Sequence, residues 1–417
     1  MTNKSLMLSS LRATTSFAIC IIATTAYAQS SVPNRYTNQV LIANDAKYSP
    51  AIKVEPNFVS GWGLAKRPKG AGGHIWVSAK NTSFQYVGDV AASADMSLRK
   101  LEIRDVPYIR LPVGGEEGAS TGVVFNDSRE NFVVTQQIAG SPQIVAPAKF
   151  LFSSDTGIIS AWSERKNADG SFLRSDQAEP VIDGSAQGVQ FFGIALNADY
   201  SRLYAANFGT NPDIRVYDGK FQPLPITFDL PFDTNANGRV DAGEYAPFNI
   251  QAMTTSSGQN HIFVTYAKSQ VCPNDEVAKG TCAAGAIFAG EEDTSHRGYG
   301  KLAEFSEEGR LISVWNDGRN LLAPWGMAYA PADFGRLSGA LLVGNFGSGK
   351  IAAFHPTTRR FIDFVRDERG APLIVDKVWA LMFGNGESLG DKNALYYAAA
   401  PNDEADGTFG SIRMVRR

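Results

Sequence analysis

Histidine and cysteine are scarce, with four and three in 417 residues. Neither is spaced as the ligands of a Cys/His zinc cluster. None of His74, His261, His296 and His355 stands in a serine or cysteine nucleophile motif, which disfavours triad hydrolysis. Charge is thin and nearly balanced, 39 basic against 42 acidic residues, so the basic footprint of a nucleic-acid or membrane-surface binder is missing. Helical periodicity of useful length is also missing beyond the first residues. What remains is 44% hydrophobic and 11% aromatic, with 40 glycines. Such a chain buries a large core and is incompatible with wholesale disorder.

The first residues read as a leader. Lys4 and Arg12 flank the start of an apolar run at 16–23, and Ala26-Tyr27-Ala28 ahead of Gln29 is the small-residue pattern that a signal peptidase cuts. The run is far short of the roughly 20 residues needed to span a bilayer, and Ile19 is a poor neighbour for lipid attachment at Cys20. Residues 1–28 are therefore expected to be a signal peptide, with 29–417 released to the periplasm or outside the cell. Export leaves Cys272 and Cys282, which an oxidising compartment favours pairing. Their bridge would stiffen the polar loop between them rather than staple the fold.

Internal repetition is the strongest signal. The phrase aromatic–Gly–aliphatic–Ala occurs as Trp62-Gly63-Leu64-Ala65, Phe192-Gly193-Ile194-Ala195 and Trp325-Gly326-Met327-Ala328. Weaker copies are Thr121-Gly122-Val123-Val124, Phe248-Asn249-Ile250-Gln251 and Trp379-Ala380-Leu381-Met382. The six phrases lie roughly 55 to 75 residues apart. Each is followed by a short β-branched or aromatic run, at 75–79, 132–135, 203–207, 262–266, 341–345 and 395–398. Further strands are clearest at 157–162, 214–217 and 350–354, and Asp218-Gly219 and Glu308-Gly309 supply turns. The pattern predicts an all-β, six-bladed β-propeller over 29–417, with the first strand of each blade lining a central channel. A pair of β-sandwiches would not need one phrase at a near-constant period.

The phrases Asn57-Phe58-Val59-Ser60-Gly61-Trp62-Gly63, Tyr245-Ala246-Pro247-Phe248-Asn249-Ile250-Gln251, Ala323-Pro324-Trp325-Gly326 and Leu342-Val343-Gly344-Asn345-Phe346-Gly347 resemble an uncharacterised family of exported bacterial six-bladed propellers. Some members of that family end in a PEP-CTERM-type sorting tail, which the ending Ser411-Ile412-Arg413-Met414-Val415-Arg416-Arg417 does not match. The resemblance implies the fold and no activity. In architecture it extends to the calcium-dependent phosphotriesterase and gluconolactonase propellers, an analogy that says little about function.

The sharpest chemical motif is Asp233-Thr234-Asn235-Ala236-Asn237-Gly238-Arg239-Val240-Asp241-Ala242-Gly243-Glu244. It matches the twelve-residue EF-hand calcium loop. Asp233, Asn235, Asn237 and Asp241 would supply side-chain oxygens, Arg239 its carbonyl, and Glu244 both carboxylate oxygens. Pro231 and Pro247 bracket the loop and neither flank has helical periodicity, so a constitutive calcium clip is expected rather than a switch. The alternative is a polar turn between blades. Gly344-Asn345-Phe346-Gly347-Ser348-Gly349-Lys350 imitates a phosphate-binding loop, but Ile351 stands where Ser or Thr should hold magnesium and a strand follows; a hairpin turn is expected.

If the phrases start inner strands, Trp62, Phe192, Phe248, Trp325 and Trp379 gather around one part of the channel. They would form either a platform for an apolar or sugar-like ligand or simply packing between blades. Asn249 replaces the usual glycine of the phrase and is the channel residue most able to ligate a metal. Asn207 and Asn345 suit Asx turns, and Asn57 and Asn126 lie near other strand ends. These residues predict a propeller that binds a small molecule or a protein partner, with longer loops such as 269–284 adding recognition surface. The alternative is a metal-dependent hydrolase of the lactonase or phosphotriesterase type acting in the channel.

Overall fold

Short strands punctuated by Gly, Asn and Asp cannot bury two faces alone, and here they solve the problem by radial repetition. The computed structural model describes residues 33–48, 51, 53–102 and 108–415; the leader expected at 1–28 lies outside the described residues. Six antiparallel sheets form the blades of a propeller. Their first strands, Gly61–Lys66, Ser120–Phe125, Phe191–Leu196, Tyr245–Thr254, Pro324–Tyr329 and Val378–Phe383, stand side by side around the axis. All six phrases lie on these inner strands. Blade 1 continues outward through Ile75–Ala79, Thr82–Tyr86 and Tyr108–Arg110, and blade 5 through Leu341–Asn345, Ile351–Phe354 and Phe361–Phe364. Blade 3 stops at three strands, Asp213–Asp218 being its last, where Pro223 and Pro225 follow and remove ladder donors.

The repeated phrase has a mechanical meaning. In every blade the pairing of inner and second strand slips at the phrase: between Gly61 and Leu64, Phe191 and Gly193, Pro247 and Asn249, Pro324 and Met327, and Val378 and Leu381. Blade 2 does the same opposite Thr121-Gly122. A bulge re-aims a side chain, and five of these six throw an aromatic ring toward the axis. The glycine that follows allows the neighbouring inner strand to approach. A Cβ on Gly122 would lie 2.9 Å from the Ile194 amide nitrogen, and one on Gly193 would fall on Asn249 Oδ1. Hydroxyls fasten the same seam: Ser78 Oγ donates to Thr121 O at 2.9 Å and Thr121 Oγ1 to Phe191 O at 2.6 Å.

The strand at 36–43 closes the ring. Tyr36–Ala43 pairs antiparallel with Thr408–Met414, Tyr36 opposite Met414 and Ala43 opposite Thr408. Blade 6 thus joins the first and last of the described strands, and its outer edge is extended by Lys53–Val54.

Blade 2 corrects one expectation. The run at 132–135 belongs to a separate hairpin, Val133–Gln136 with Ile144–Pro147, and the second strand of the blade is Phe150–Ser154. The hairpin buries Val134 and Gln136 while Val133 and Thr135 are exposed, whereas all five residues of Phe150–Ser154 are buried. Both read as strand chemistry, and only two-sided burial separates a blade strand from a surface hairpin. The glycine-rich segment at 344–350 does connect two strands of blade 5, as expected of a turn.

In blade 4 the second strand, Asn260–Val271, overshoots the sheet, and Ile287–Glu292 pairs with the overshoot. Between them lie the short helix Asn274–Lys279 and the Cys272–Cys282 disulfide. Among the described residues no helix is long and apolar enough to cross a membrane.

Candidate functional site

The aromatic side chains of the phrases do gather, and they form a plug. Trp62 stacks on Trp379 at 3.8 Å between ring centroids, Phe192 meets Trp62 at 5.4 Å and Phe248 at 5.5 Å, and Trp325 meets Trp379 edge-on at 5.9 Å. Phe208 and Phe346 fill the gaps, Phe346 stacking on Trp379 at 4.1 Å. Phe248 is fully buried and the others nearly so. The plug divides the axis into two cavities.

On one side is the channel proper, a cavity of about 890 Å³ lined by the later halves of the inner strands. Trp325 and Asn249 face it. Asn249 Nδ2 donates to Trp325 O at 2.8 Å, and Gln251 bridges to the same strand through Met327 O at 3.2 Å and Met327 N at 2.8 Å. Asn249 therefore zips blade 4 to blade 5, the task that glycine contact performs at other seams. A hydrolase working through a metal in the channel finds no support here, because the residues that line the channel beside Asn249 include no Asp, Glu or His. Among the described residues no three His, Cys, Asp or Glu side chains converge as a metal-binding group.

On the other side is a pocket of about 460 Å³ whose floor is the plug: Trp62, Phe192, Phe346 and Trp379. Its walls are the loops that enter inner strands or join second to third strands. They bring in Glu117, Asp155, Glu291, Glu292, Asp403 and Glu404, with Lys377 as the basic residue. Asp155 sits in the turn between Phe150–Ser154 and Ile158–Trp162, its Oδ1 accepting the Ala119 amide at 2.8 Å. Glu291 and Glu292 end the strand that pairs with the blade 4 overshoot, and the Gly290 amide ties that strand to Phe208 O of blade 3 at 3.0 Å. Asn402, Asp403 and Glu404 form a turn of three left-handed residues, φ +60°, +46° and +65°, a sparsely populated conformation for non-glycine residues. The turn delivers Glu404 Oε1 to the Trp379 indole N–H at 3.1 Å.

Burial dominates the electrostatics of this pocket. It pushes the Asp155 carboxyl up to about 6, with the Ala119 amide and the Lys80 charge opposing. Glu292 is pushed up to about 8 by burial, reinforced by the charges of Glu291 and Glu404. Burial likewise raises Glu404 to about 7 against the pull of the Trp379 N–H and Lys377. Carboxyl groups held this way disfavour the folded state when ionised and alone.

The floor has one unmet donor. Trp325 Nε1 donates to Phe192 O at 3.1 Å and Trp379 Nε1 to Glu404, but the buried Trp62 Nε1 has no hydrogen-bond partner among the described residues.

The loop at 233–244 packs beside this face. Asp233 accepts the amides of Asn235, Asn237 and Gly238 at 3.2, 3.3 and 2.8 Å, and Gly238 takes φ +82°. Asn235 and Asn237 amides donate to Asp241 Oδ2, Arg239 Nε donates to Asp241 Oδ1, and Glu244 accepts Thr234 and the Asp241 amide. The acidic side chains thus turn inward on the loop's own donors. Val240 packs against the plug core, and Ser269 N donates to Glu244 O at 2.8 Å. The side chains carry the oxygens that calcium takes, but Asn235 and Asn237 turn their Nδ2 atoms to Asp241, and among the described residues the loop's three carboxylates do not converge as a metal-binding group.

The sequence found the plug and the loop but missed the carboxylates above the plug. Asn207 and Asn345 serve turns, Asn207 Oδ1 accepting the Gly209 amide at 2.9 Å and Asn345 Oδ1 the Leu322 amide at 2.8 Å. Asn126 does likewise for Ser128.

No family model matches the chain. It is similar to three uncharacterized proteins of Acanthamoeba polyphaga mimivirus. One is 23% identical over 374 residues, 89% of this chain and 78% of that protein. Another is 24% identical over 369 residues, with shares of 87% and 82%. The third is 26% identical over 266 residues, with shares of 63% and 42%. A solved structural-genomics protein of unknown function from Bacteroides thetaiotaomicron aligns over 91% of this chain and 76% of its own at 9% identity and TM-score 0.48. None of these extends the resemblance to exported bacterial propellers or to the calcium-dependent lactonases, and none brings an activity to this chain.

Proposed function

We propose that this is an exported, calcium-stabilised binding propeller whose small-molecule ligand seats in the acidic pocket on the aromatic plug. One observation carries the reading: blades 2, 4 and 6 aim carboxyl groups into a single cavity, where burial opposes their ionisation. Groups that weaken the empty fold and converge in a cavity mark a functional site more often than a structural one. The proposed calcium would be held by Asp233, Asn235, Asn237, Asp241, Glu244 and the Arg239 carbonyl. Its charge would offset the repulsion among three carboxylates of one loop. Because Ser269 is bonded to Glu244, that loop also braces the strand leading to Glu291 and Glu292. Export is supported by the leader pattern at 1–28 and fits the disulfide.

The test is a thermal-shift screen of the purified protein against amines, sugars, carboxylic acids and lactones, run in parallel on Glu404→Gln and Asp155→Asn. A compound that stabilises the parent and not the two variants supports the pocket. A compound that stabilises all three equally places binding elsewhere and overturns the reading.

A further inference from the structure

We propose that the pocket on the plug takes an organic ammonium compound bearing an acceptor oxygen close to its nitrogen. This deepens the binding reading above and rests on it.

Charge balance is the first argument. Six acidic residues line the pocket against one basic one, Lys377, and burial holds protons on Asp155, Glu292 and Glu404 that a bound cation would replace. The second argument is a tethered ammonium already seated there. Lys377 Nζ stands 4.2 Å over the centroid of the Phe346 ring and 3.6 Å from Asp403 Oδ1. The Phe346 face thus already carries an ammonium, with the exposed Asp403 carboxylate beside it, and the rest of the aromatic floor lies among acidic residues in the same way. Third, Trp62 lines the pocket, is only 3% exposed, and its N–H lacks an acceptor. A buried unmade donor is unfavourable, and an oxygen on the ligand would satisfy it. A hard metal ion fits less well: an aromatic floor offers it no ligand, and no three carboxylates converge on one point among the described residues. A cavity of about 460 Å³ suits a molecule of sugar or amino-alcohol size.

Ammonium binding favours the ionised carboxylates, so it draws protons off the pocket. The groups that set this are Glu117, Asp155, Glu291, Glu292, Asp403 and Glu404, with the Lys377 charge among them and Lys80 beside Asp155. Affinity therefore rises with pH through neutrality.

The test is calorimetry on the full chain with glucosamine, choline and tetramethylammonium as cationic probes and glucose as the neutral control. The expected result is saturable binding of glucosamine or choline, proton release shown by buffers of different ionisation heat, and no binding of glucose. Glu292→Gln and Glu404→Gln should each weaken binding by about tenfold. Trp62→Phe keeps an aromatic face but replaces the indole, N–H included, with a smaller phenyl ring, so it should weaken the oxygen-bearing probes severalfold more than it weakens tetramethylammonium. Glucose binding as tightly as glucosamine overturns the ammonium requirement while leaving the pocket a ligand site. Calcium or magnesium binding that Glu292→Gln abolishes and Glu244→Gln does not would overturn it in favour of an inorganic cation. Failure of glucosamine and choline alike would also overturn it.

Discussion

Trp62 and Trp379 stack with ring centroids 3.8 Å apart and planes 17° from parallel. One belongs to blade 1 and the other to blade 6, the blade that the first and last described strands share, so the stack lies across the seam where the ring closes. The two indoles differ in one respect: Trp379 has Glu404 for its N–H, and Trp62 has no partner. The stack therefore holds one satisfied and one unsatisfied indole N–H, both on residues that line the pocket.

Gly193→Ala should be strongly destabilising although it adds a single methyl group. Its Cβ would fall on Asn249 Oδ1 and lie 3.0 Å from Asn249 Cα, a backbone atom that cannot turn aside. Overpacking of this kind costs about 1–3 kcal/mol. Asn249→Ala should also destabilise, by about 1 kcal/mol for the lost bond to Trp325 O. In urea unfolding the double variant should lose less than the two single losses combined, since Asn249→Ala removes the oxygen that Gly193→Ala strikes. Strict additivity would mean that the two residues do not meet.

The fold was legible in the sequence where its physics is local. A bulge that turns an aromatic ring inward and a glycine that admits the next strand must sit side by side, so each inner strand wrote its own phrase. The motif at 233–244 could be read at all because its candidate ligands come from one stretch of chain. The pocket was not. Asp155 in Ser154-Asp155-Thr156-Gly157 and Asp403 beside Asn402 look like ordinary turn residues, and only the ring brings blades 2, 4 and 6 to one place. Ring closure by Tyr36–Ala43 was equally hidden, because its partner strand lies at the opposite end of the chain.

Calcium should raise the melting temperature of the parent protein, and chelator should lower it. At calcium a hundred times above its dissociation constant, a single site adds about 2.7 kcal/mol. Glu244→Ala removes the proposed bidentate ligand, so that variant should melt lower in calcium and ignore chelator. A Glu244→Ala protein that responds to chelator like the parent would place the calcium, if any, away from 233–244.

Reduction of the Cys272–Cys282 bridge should loosen one segment rather than unfold the propeller. The bridged residues are 10 apart in sequence and their loop carries only the short helix Asn274–Lys279. Chain-entropy reasoning sets the effect at about 3 kcal/mol or less. In Cys272→Ser/Cys282→Ser, amide exchange should quicken across 268–292 while the inner strands keep their protection. Quickening that spreads to Tyr36–Ala43 would show that the bridge supports the whole ring.

Alkaline destabilisation should trace to the pocket. Glu292 and Glu404 are raised from the ordinary 4.5 to about 8 and about 7, chiefly by burial. The native state thus keeps protons that the unfolded chain has released, and stability from this source is full below the unfolded value and falls as pH rises toward the folded one. The carboxylates held low, Glu164 beside Arg174 and Arg67 and Asp406 beside Lys47, act at the acid end and leave this window alone. Glu292→Gln removes the largest of the raised groups. Its unfolding free energy in urea should match the parent's near about pH 5 and exceed it near about pH 8, by about 1–2 kcal/mol after allowance for solvent. An equal fall with pH in parent and variant would mean that Glu292 is ionised in the native protein throughout, and that the charge of the pocket is already compensated.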